Sequence, residues 1–230
     1  MPLHIGMVAV SPVGASLSNR QLFRFARESI RSGEHPKVTI HNIPFAEYID
    51  AVRADDWMKV ASMLRASAEL LADAGAEIVF TPDNMVQHAV PMVAKSCSVP
   101  WVNMADLVAD AIAADDRAVV GVIGTTIVTS GSTYQAVLGM RGVRIRTPEA
   151  SEAKIIERII FEELAYGSLT PDSLKTLHSI ARSLRDRGCD ALLFGCSEAP
   201  ELVDRGDWPL PIYDSCSIVT RAVLARACAH

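Results

Sequence analysis

Two turns that follow apolar segments carry the side chains best suited to proton chemistry, a carboxylate at Asp83 and a thiol at Cys196. The stretch 73–85 has a counterpart in the stretch 186–198, at an offset of 113 residues. Each stretch predicts a helix that stops at a glycine, an acidic residue, a short apolar strand and a sharp turn. Ligands of open α/β sheets bind just past the carboxyl ends of strands. Both turns are therefore candidate sites.

Each of the two groups has a chemical and a structural interpretation. A thiol at a strand-to-helix turn is favoured as a thiolate by the helix dipole and the first-turn amides, but free cysteines are also common as inert core residues. Asp83 is a candidate acid or base, and aspartate is also an ordinary helix N-cap. Glu198 and His88 are candidates for orienting a catalytic group. The side chains and backbone positions suited to a substrate carboxylate are Ser11, Asn84, Thr125, Thr126 and Ser197.

The elements that position these residues form a repeating pattern. Residues 5–11 match residues 120–126 at an offset of 115, nearly the offset of the two turns. Two such matches favour two similar halves, with a boundary near the polar segment 115–117; the alternative is that α/β proteins in general repeat this pattern. Strand and helix alternate throughout, which predicts a mainly parallel sheet covered on both faces.

Several element boundaries are specific enough to test. We expect the first helix to run from Arg20 to about Ser32 and to stop at Gly33. The segment 43–54 predicts a long loop or a short helix. Pro82 and Asp83 suit the first turn of a helix that continues to about Ser96. Thr170 and the proline after it predict the start of another helix.

Composition excludes several classes of function. The chain has 230 residues and a net charge of −5, which gives no electrostatic footprint for nucleic acid or an anionic membrane. No apolar run approaches the roughly 18 residues of a membrane span, and the amino-terminal residues predict a strand rather than a signal peptide. The five cysteines fit neither a disulfide framework nor a metal site. We therefore expect a reduced, cytoplasmic protein without a metal ion.

Nucleotide-binding, zinc-protease and serine-hydrolase motifs are also absent from the sequence. Four short motifs instead resemble those of the aspartate/glutamate/hydantoin racemase superfamily. Gly195-Cys196-Ser197-Glu198 is similar to its Gly-Cys-Thr-Glu motif, and Asp83-Asn84-Met85 stands where the family has Cys-Asn-Thr. Gly124-Thr125-Thr126 resembles its Gly-Thr loop, and Asp214-Ser215 its late Asp-Ser/Thr pair. Their order and spacing cover nearly the whole chain.

This resemblance implies the fold and the partners. It implies two pseudo-symmetric α/β halves, Rossmann-like or flavodoxin-like, with mainly parallel sheets and the active site between them. The first half would comprise residues 1–114 plus 208–230, and the second residues 115–207. The resemblance further implies an isomerase that needs no cofactor, acts on a small carboxylate or amino acid and forms a homodimer. Cys196 and Asp83 would be catalytic, and Met85 would replace a substrate-binding threonine.

The replacement of a thiol by a carboxylate makes the pair unequal. A thiol with a pKa of about 8.5 is a far stronger base than a carboxylate with a pKa of about 3.9, unless burial raises the latter. Proton abstraction by Cys196 and donation by Asp83 would be the better direction. Three hypotheses follow: a racemase or epimerase that uses both residues; a one-thiol decarboxylase, cis-trans isomerase or lyase acting on a small dicarboxylate; and a protein that binds a small acid without turnover.

Overall fold

The computed structural model describes residues 2–29 and 35–229, and these form two compact units. The first unit contains the described residues up to Met104 and those from Val219 onward; the second spans Ala105–Ile218. Each unit holds one four-stranded parallel sheet flanked by helices. The α/β class with two similar parallel sheets is thus confirmed. None of the helices in these ranges combines the length and the hydropathy that a membrane span requires.

The sheet of the first unit has the strand order β2-β1-β3-β4, with every neighbouring pair parallel. Its strands are β1 (Ile5–Ala9), β2 (Val38–Asn42), β3 (Ile78–Phe80) and β4 (Trp101–Val102). All residues of β1 and β3 are buried, whereas the edge strand β2 is partly exposed. Continuous apolar strands of this kind are what a parallel sheet covered on both faces requires.

The helices of the first unit differ from the sequence-based expectation at two places. They are α1 (Pro12–Ser29), α2 (Phe45–Arg53), α3 (Trp57–Asp73) and α4 (Val90–Ala94). The expected start of α1 at Arg20 is wrong, because the Ser11 hydroxyl accepts the Gly14 amide at 3.2 Å and caps a helix with proline at its first position. The expected end at Gly33 lies outside the described residues. The segment 43–54 does contain a short helix, α2.

The second correction concerns the helix expected from Pro82 to about Ser96. Residues 84–89 form turns instead, and only α4 is helical. The Asp83 carboxylate accepts the Met85 amide at 2.9 Å, and the Gln87 side-chain amide donates to the Asp83 carbonyl at 2.9 Å. Local side-chain bonds of this kind compete with the helical hydrogen-bond ladder, and they explain why this segment turns.

The sheet of the second unit repeats the topology of the first, with the order β6-β5-β7-β8 and parallel neighbours. Its strands are β5 (Val119–Gly124), β6 (Arg144–Arg146), β7 (Ala191–Gly195) and β8 (Ile212–Asp214). β7 is buried along its whole length. Because β8 pairs with β7, it belongs to this sheet, whereas the expected division assigned residues 208–230 to the first half.

The second unit contains most of the helical segments. They are α5 (Met104–Ala114), α6 (Thr126–Ser130), α7 (Ser132–Gly139), α8 (Ala150–Glu162), a 3-10 helix (Leu164–Tyr166), α9 (Pro171–Asp186), α10 (Ala199–Val203) and α11 (Ser215–Cys228). The predicted start at Thr170 is confirmed, since its hydroxyl accepts the Ser173 amide at 3.2 Å. From Val219 onward, α11 belongs to the first unit.

The first strand of each sheet contains a glycine that lets a helix pack closely. A Cβ atom on Gly6 would lie 2.8 Å from Val79 and 3.2 Å from Leu71 of α3. A Cβ atom on Gly121 would lie 3.0 Å from Leu184 of α9. Both contacts are tighter than ordinary packing allows. The same backbone approach is therefore built twice, at equivalent positions of the two units.

An acidic side chain anchors the start of each sheet in the same way. The Glu77 carboxylate accepts the His4 amide at 2.8 Å. In the second unit, the Asp190 carboxylate accepts the amides of Ala118 at 2.7 Å and Val119 at 3.3 Å. These bonds satisfy strand amides before the ladder begins. They explain why an acidic residue precedes the third strand in both halves.

Candidate functional site

The acid turn, residues 81–87, follows β3 and holds Asp83 with 1% of its surface exposed. The Asp83 amide donates to the Thr81 hydroxyl at 3.3 Å, and one carboxylate oxygen accepts the Met85 amide at 2.9 Å. Gln87 is also buried, and its side chain bridges the carbonyls of Thr81 and Asp83 at 3.4 and 2.9 Å. Bonds within its own turn thus help to hold the carboxylate in place.

One further buried polar side chain, Tyr48 of α2, is close enough to the acid turn to be influenced by the charge of Asp83. Tyr48 is fully buried, and its hydroxyl lies near Ser67 but outside hydrogen-bonding geometry. Burial, with added repulsion from Asp83 and Glu47, raises the pKa of Tyr48 to about 12. A buried tyrosine hydroxyl in this state is a potential donor to a ligand. Tyr48 is therefore a further candidate for contact with a substrate.

The other candidates in the first unit separate into two groups. Ser11 and Asn84 are buried, and they follow β1 and β3, which are neighbouring parallel strands. They thus share the carboxyl edge of the sheet with Asp83. His88 is partly exposed, and its ring packs on Trp57 with the ring centres 4.6 Å apart. This contact gives His88 a packing role beside the acid turn.

The thiol turn, residues 195–198, follows β7 and carries Cys196 with 4% of its surface exposed. Cys196 packs with Phe194 and Ala199 in the apolar core of this unit. The short helix α10 begins only at Ala199, so Cys196 does not occupy the first helical turn. The expected stabilisation of a thiolate by nearby amides and the helix dipole therefore stays a prediction, with Cys196 three residues before the start of α10.

Two buried polar residues follow the thiol in the same turn. Ser197 and Glu198 have 6% and 2% of their surface exposed. The Ser197 hydroxyl lies 3.2 Å from both oxygens of the Glu198 carboxylate. A charged group at this depth requires hydrogen bonds, and this pairing supplies one. It also fixes the orientation of the Ser197 hydroxyl beside the thiol.

Sequence reasoning missed the contribution of residues 215 and 216. The Ser215 hydroxyl donates to the Phe194 carbonyl at 2.8 Å, and the Cys216 sulfur lies 3.5 Å from the Cys196 carbonyl oxygen. Burial, together with the negative charges of Asp214 and neighbouring acidic groups, raises the pKa of Cys216 well above its usual value. The available signal was the position of Cys216 directly after the Asp-Ser pair.

The Asp214 carboxylate caps the start of α11. It accepts the amides of Cys216 at 2.9 Å and Ser217 at 3.2 Å, and it accepts the Ser217 hydroxyl at 2.5 Å. These bonds satisfy amides at the helix N-terminus. The late Asp-Ser pair therefore orders the end of β8 next to the thiol turn.

The carboxyl end of β5 brings a hydroxyl group beside the thiol turn. Gly124 pairs with Gly195, and a Cβ atom on Gly124 would lie 2.7 Å from the Gly195 carbonyl oxygen. Thr125, the next residue, is buried, and its hydroxyl has no hydrogen-bond partner. The Thr126 hydroxyl instead donates to Glu157 and is exposed. Of the two threonines, Thr125 is thus the one available to a ligand.

The arrangement supplies acid–base groups and hydrogen-bond donors at the carboxyl ends of two parallel sheets. Among residues 2–29 and 35–229, no group of three or more His, Cys, Asp or Glu side chains is placed to hold a metal ion. One unit holds a buried thiol and the other a buried carboxylate, each after the strand that lies third in its sheet. Groups of these two types can act as acids or bases, and the fold that carries them is of the α/β class.

The family is defined by comparison with known proteins. The family model for Asp/Glu/Hydantoin racemase matches residues 15–223, and the chain belongs to this family. An aspartate racemase homologue from Pyrococcus horikoshii is 26% identical, with a TM-score of 0.83 over 98% of this chain and 99% of that one. This result confirms the expected family and the expected enzyme class, an isomerase of an amino-acid racemase family.

Two further solved structures share the fold. A putative Asp/Glu racemase from Yersinia pestis is 23% identical, with a TM-score of 0.86, and the match covers 98% of this chain and 99% of that one. The aspartate racemase of Picrophilus torridus is 19% identical, with a TM-score of 0.81 over 98% of this chain and 94% of that one. At these identities, the two matches support the architecture.

Proposed function

We propose that this protein is a cofactor-independent amino-acid racemase or epimerase that exchanges the α-proton of a small carboxylate substrate between Cys196 and Asp83. The observation that carries the proposal is the equivalence of the two turns. Each follows the strand that lies third in its sheet, and each presents one buried acid–base group. Membership of the racemase family supports the same reaction.

Racemisation requires a proton to leave one face of the α-carbon and another to arrive on the opposite face. In this proposal, the Cys196 thiolate removes the α-proton, and protonated Asp83 delivers a proton to the other face. The substrate carboxylate gains negative charge as the proton leaves, so hydrogen-bond donors to it lower the barrier. Thr125 is suited to this role because its buried hydroxyl has no hydrogen-bond partner among residues 2–29 and 35–229. We assign supporting donor roles to Ser11, Asn84 and Ser197.

The two directions of the proposed reaction are unequal. An ordinary thiol has a pKa of about 8.5 and an ordinary carboxyl group one of about 3.9, so the thiolate is the stronger base. The enantiomer deprotonated by Cys196 should therefore react with the higher kcat. The equilibrium constant between two enantiomers is one, so kcat/KM must be the same for both. The enantiomer with the higher kcat must therefore also have the higher KM.

Exchange in deuterated water tests the proposal directly. Both enantiomers of aspartate, glutamate and several neutral amino acids are incubated with the protein, and loss of the α-proton signal is followed by NMR. With two separate bases, deuterium enters the product enantiomer before it enters the recovered substrate. Failure to incorporate deuterium into any of these amino acids would exclude the racemase.

The Asp83→Asn variant separates the two roles. An asparagine cannot deliver the second proton, so inversion should fall by roughly 10²–10⁴-fold. Cys196 should still exchange the α-proton of one enantiomer with retention of configuration. The matched control is Asp204→Asn, which changes an exposed aspartate and should leave both rates unaltered. Equal loss of exchange and inversion in Asp83→Asn would contradict the assignment of Asp83 as the donor alone.

A one-thiol reaction is the second candidate, because only one of the two equivalent turns carries a thiol. In that case Cys196 would protonate a carbanion or enolate formed by decarboxylation, isomerisation or elimination of a small dicarboxylate, and Asp83 would contact the substrate. Release of carbon dioxide or interconversion of an alkene, without racemisation, would identify this function. Retention of ligand affinity by Cys196→Ala, with no turnover of any substrate, would instead identify a small-acid-binding protein.

Substrate preference and assembly complete the proposal. Met85 is partly exposed at the end of the acid turn, and its thioether favours a substrate side chain less polar than that of aspartate. We assign the protein to the cytoplasm as a homodimer, in line with the family resemblance. Sedimentation or size-exclusion measurements on the purified chain test the dimer.

A further inference from the structure

Cys196 and Cys216 lie in the segments that follow β7 and β8, two neighbouring strands of the second sheet. Phe194 of β7 pairs with Asp214 of β8 in a parallel register, and each cysteine comes two residues later in its own segment. Neighbouring strands are about 4.8 Å apart. A disulfide bond forms across Cα separations of about 4.4–6.8 Å. The register therefore brings the ends of the two strands side by side, and the segments that carry the two cysteines start from there.

Side-chain contacts show that the two segments stay together beyond the strands. The Cys216 sulfur lies 3.5 Å from the Cys196 carbonyl oxygen and 3.4 Å from the Ser197 carbonyl oxygen. The Ser215 hydroxyl holds the Phe194 carbonyl at 2.8 Å. The Cys216 thiol thus rests against the backbone of the thiol turn.

The other thiol of the second unit is placed differently. Cys189 comes before β7, so the whole five-residue strand separates it from Cys196. At about 3.3 Å per residue, this distance is far too long for a disulfide. All five cysteines are reduced thiols in the structure. Cys196 and Cys216 are therefore the pair in this unit that geometry favours for oxidation.

We propose that hydrogen peroxide converts Cys196 and Cys216 into a reversible intramolecular disulfide. The Cys196 thiolate attacks one peroxide oxygen, the O–O bond breaks, and the products are a sulfenic acid at Cys196 and hydroxide. The Cys216 sulfur then attacks the sulfenic sulfur, an S–S bond forms, and the displaced hydroxide leaves as water with the Cys216 proton. The two thiols lose two electrons, and peroxide is reduced to two molecules of water.

The two thiols have different environments. Burial and nearby carboxylates raise the pKa of Cys216, which disfavours its thiolate and makes it the poorer nucleophile toward peroxide. Cys216 is therefore assigned the second step, in which its proton leaves with the displaced hydroxide. Peroxide is smaller than any amino acid. A turn that admits a substrate, as the proposed function requires, also admits peroxide.

Disulfide formation would remove the Cys196 thiol from proton transfer and switch the enzyme off reversibly. This consequence rests on the proposed function, whereas the disulfide itself does not. The disulfide would also protect Cys196 from irreversible oxidation. Cys216 would capture the sulfenic acid before a second peroxide molecule oxidises it further.

Mass spectrometry tests the disulfide on the purified full chain. The protein is treated with peroxide, remaining thiols are blocked, and the chain is cleaved after arginine and lysine without reduction. Peptides 188–205 and 206–221, which contain Cys196 and Cys216, should be joined and should separate with dithiothreitol. The first peptide also contains Cys189, so the experiment is repeated in Cys189→Ser, where the link should persist.

The Cys216→Ser variant supplies the decisive comparison. Its peroxide-treated Cys196 should go on to sulfinic acid, and any activity lost should not return with dithiothreitol. Wild-type protein and Cys189→Ser should lose most of their activity and recover it on reduction. The proposal is overturned if peptides 188–205 and 206–221 never join, or if Cys216→Ser and wild type are oxidised and recover alike. If no substrate is found, the mass measurement alone decides about the disulfide.

Discussion

β3 and β7 hold the same place in the two sheets, and the turns that follow them differ in both chemistry and support. The acid turn is ordered by bonds among its own residues, chiefly between Asp83, Met85 and Gln87. The thiol turn is ordered by the neighbouring segment, since residues 215 and 216 contact its backbone. The two units thus share a sheet topology, whereas the buried polar group after the third strand and the contacts that support it differ.

The comparison of the two units shows which residues their shared packing of sheet and helix requires. The glycine of the first strand, the leucine of the packed helix and the acidic residue before the third strand recur in both units. These residues set how the backbone elements approach each other. The side chains after the third strand are buried too, but they differ in type between the two units, with Asp83 in one and Cys196 in the other.

Removal of the Cys196 thiol should have the largest effect and tests whether the two turns play the proposed roles. In Cys196→Ala, α-proton exchange should fall by roughly a thousandfold or more, because the proposed base is removed. The measurement is deuterium incorporation by NMR at saturating substrate. Cys189→Ser, which alters a buried thiol at the opposite end of β7, should retain wild-type exchange. Similar rates in Cys196→Ala and wild type would remove Cys196 from the mechanism.

Replacement of Asp83 by cysteine sharpens the comparison by making the two turns alike. With similar intrinsic basicity on both faces, the kcat values for the two enantiomers should move toward each other. We expect the ratio of the two kcat values to approach unity in Asp83→Cys. Polarimetry or circular dichroism from either enantiomer gives the two rates. A ratio that stays as in wild type would show that Asp83 does not set the asymmetry.

Substitutions at Gly6 and Gly121 allow the packing of the two units to be compared through the free energy of unfolding. In Gly6→Ala the new methyl group would meet Val79 at 2.8 Å, whereas in Gly121→Ala the tightest contact is 3.0 Å to the end of a leucine. Overpacking destabilises by about 1–3 kcal/mol, and Gly6→Ala should lie at the upper end. Urea unfolding measures both.

The control for this pair is Gly139→Ala, since a Cβ atom there has no neighbour within 4 Å. A helical position of this kind gains about 0.4–1 kcal/mol from alanine. Greater destabilisation by Gly121→Ala than by Gly6→Ala would contradict the packing explanation.

The smallest expected effect is on the free energy of unfolding when Tyr48, the buried tyrosine near the acid turn, is replaced. Tyr48→Phe removes a hydroxyl with no hydrogen-bond partner, so the free energy of unfolding at neutral pH should rise by about 1 kcal/mol. Tyr166→Phe, at an exposed position, should change it by less than about 0.5 kcal/mol. Loss of activity together with the gain in stability would place Tyr48 in substrate binding.

The same variant has a pH dependence with a defined sign. The pKa of Tyr48 rises from about 10 in the unfolded chain to about 12 in the folded protein. The folded state binds this proton more tightly, so its contribution to stability is fully present below pH 10 and is lost as the pH rises through about 12. Tyr48→Phe should therefore reduce the fall in stability between pH 10 and 12. An unchanged alkaline profile would contradict the raised pKa.

The sequence predicted the order of strands along the chain because the central strands are apolar and buried on both faces, which leaves a clear pattern. It also predicted the start of α9 at Thr170, since capping is local. The helix after Asp83 was predicted wrongly. The competing bonds from Gln87 are also local, but no simple pattern distinguishes them from a helix cap.

The residue types and the spacing of the two turns came from the sequence alone, because a repeated strand, turn and acid–base group can be recognised from local composition. The assignment of β8 to the second sheet was decided only by tertiary structure, since strand pairing joins residues far apart in the chain. The same applies to the place of Cys216 beside the thiol turn. Twenty residues separate it from Cys196 in sequence, and only the parallel register of β7 and β8 brings the two segments together.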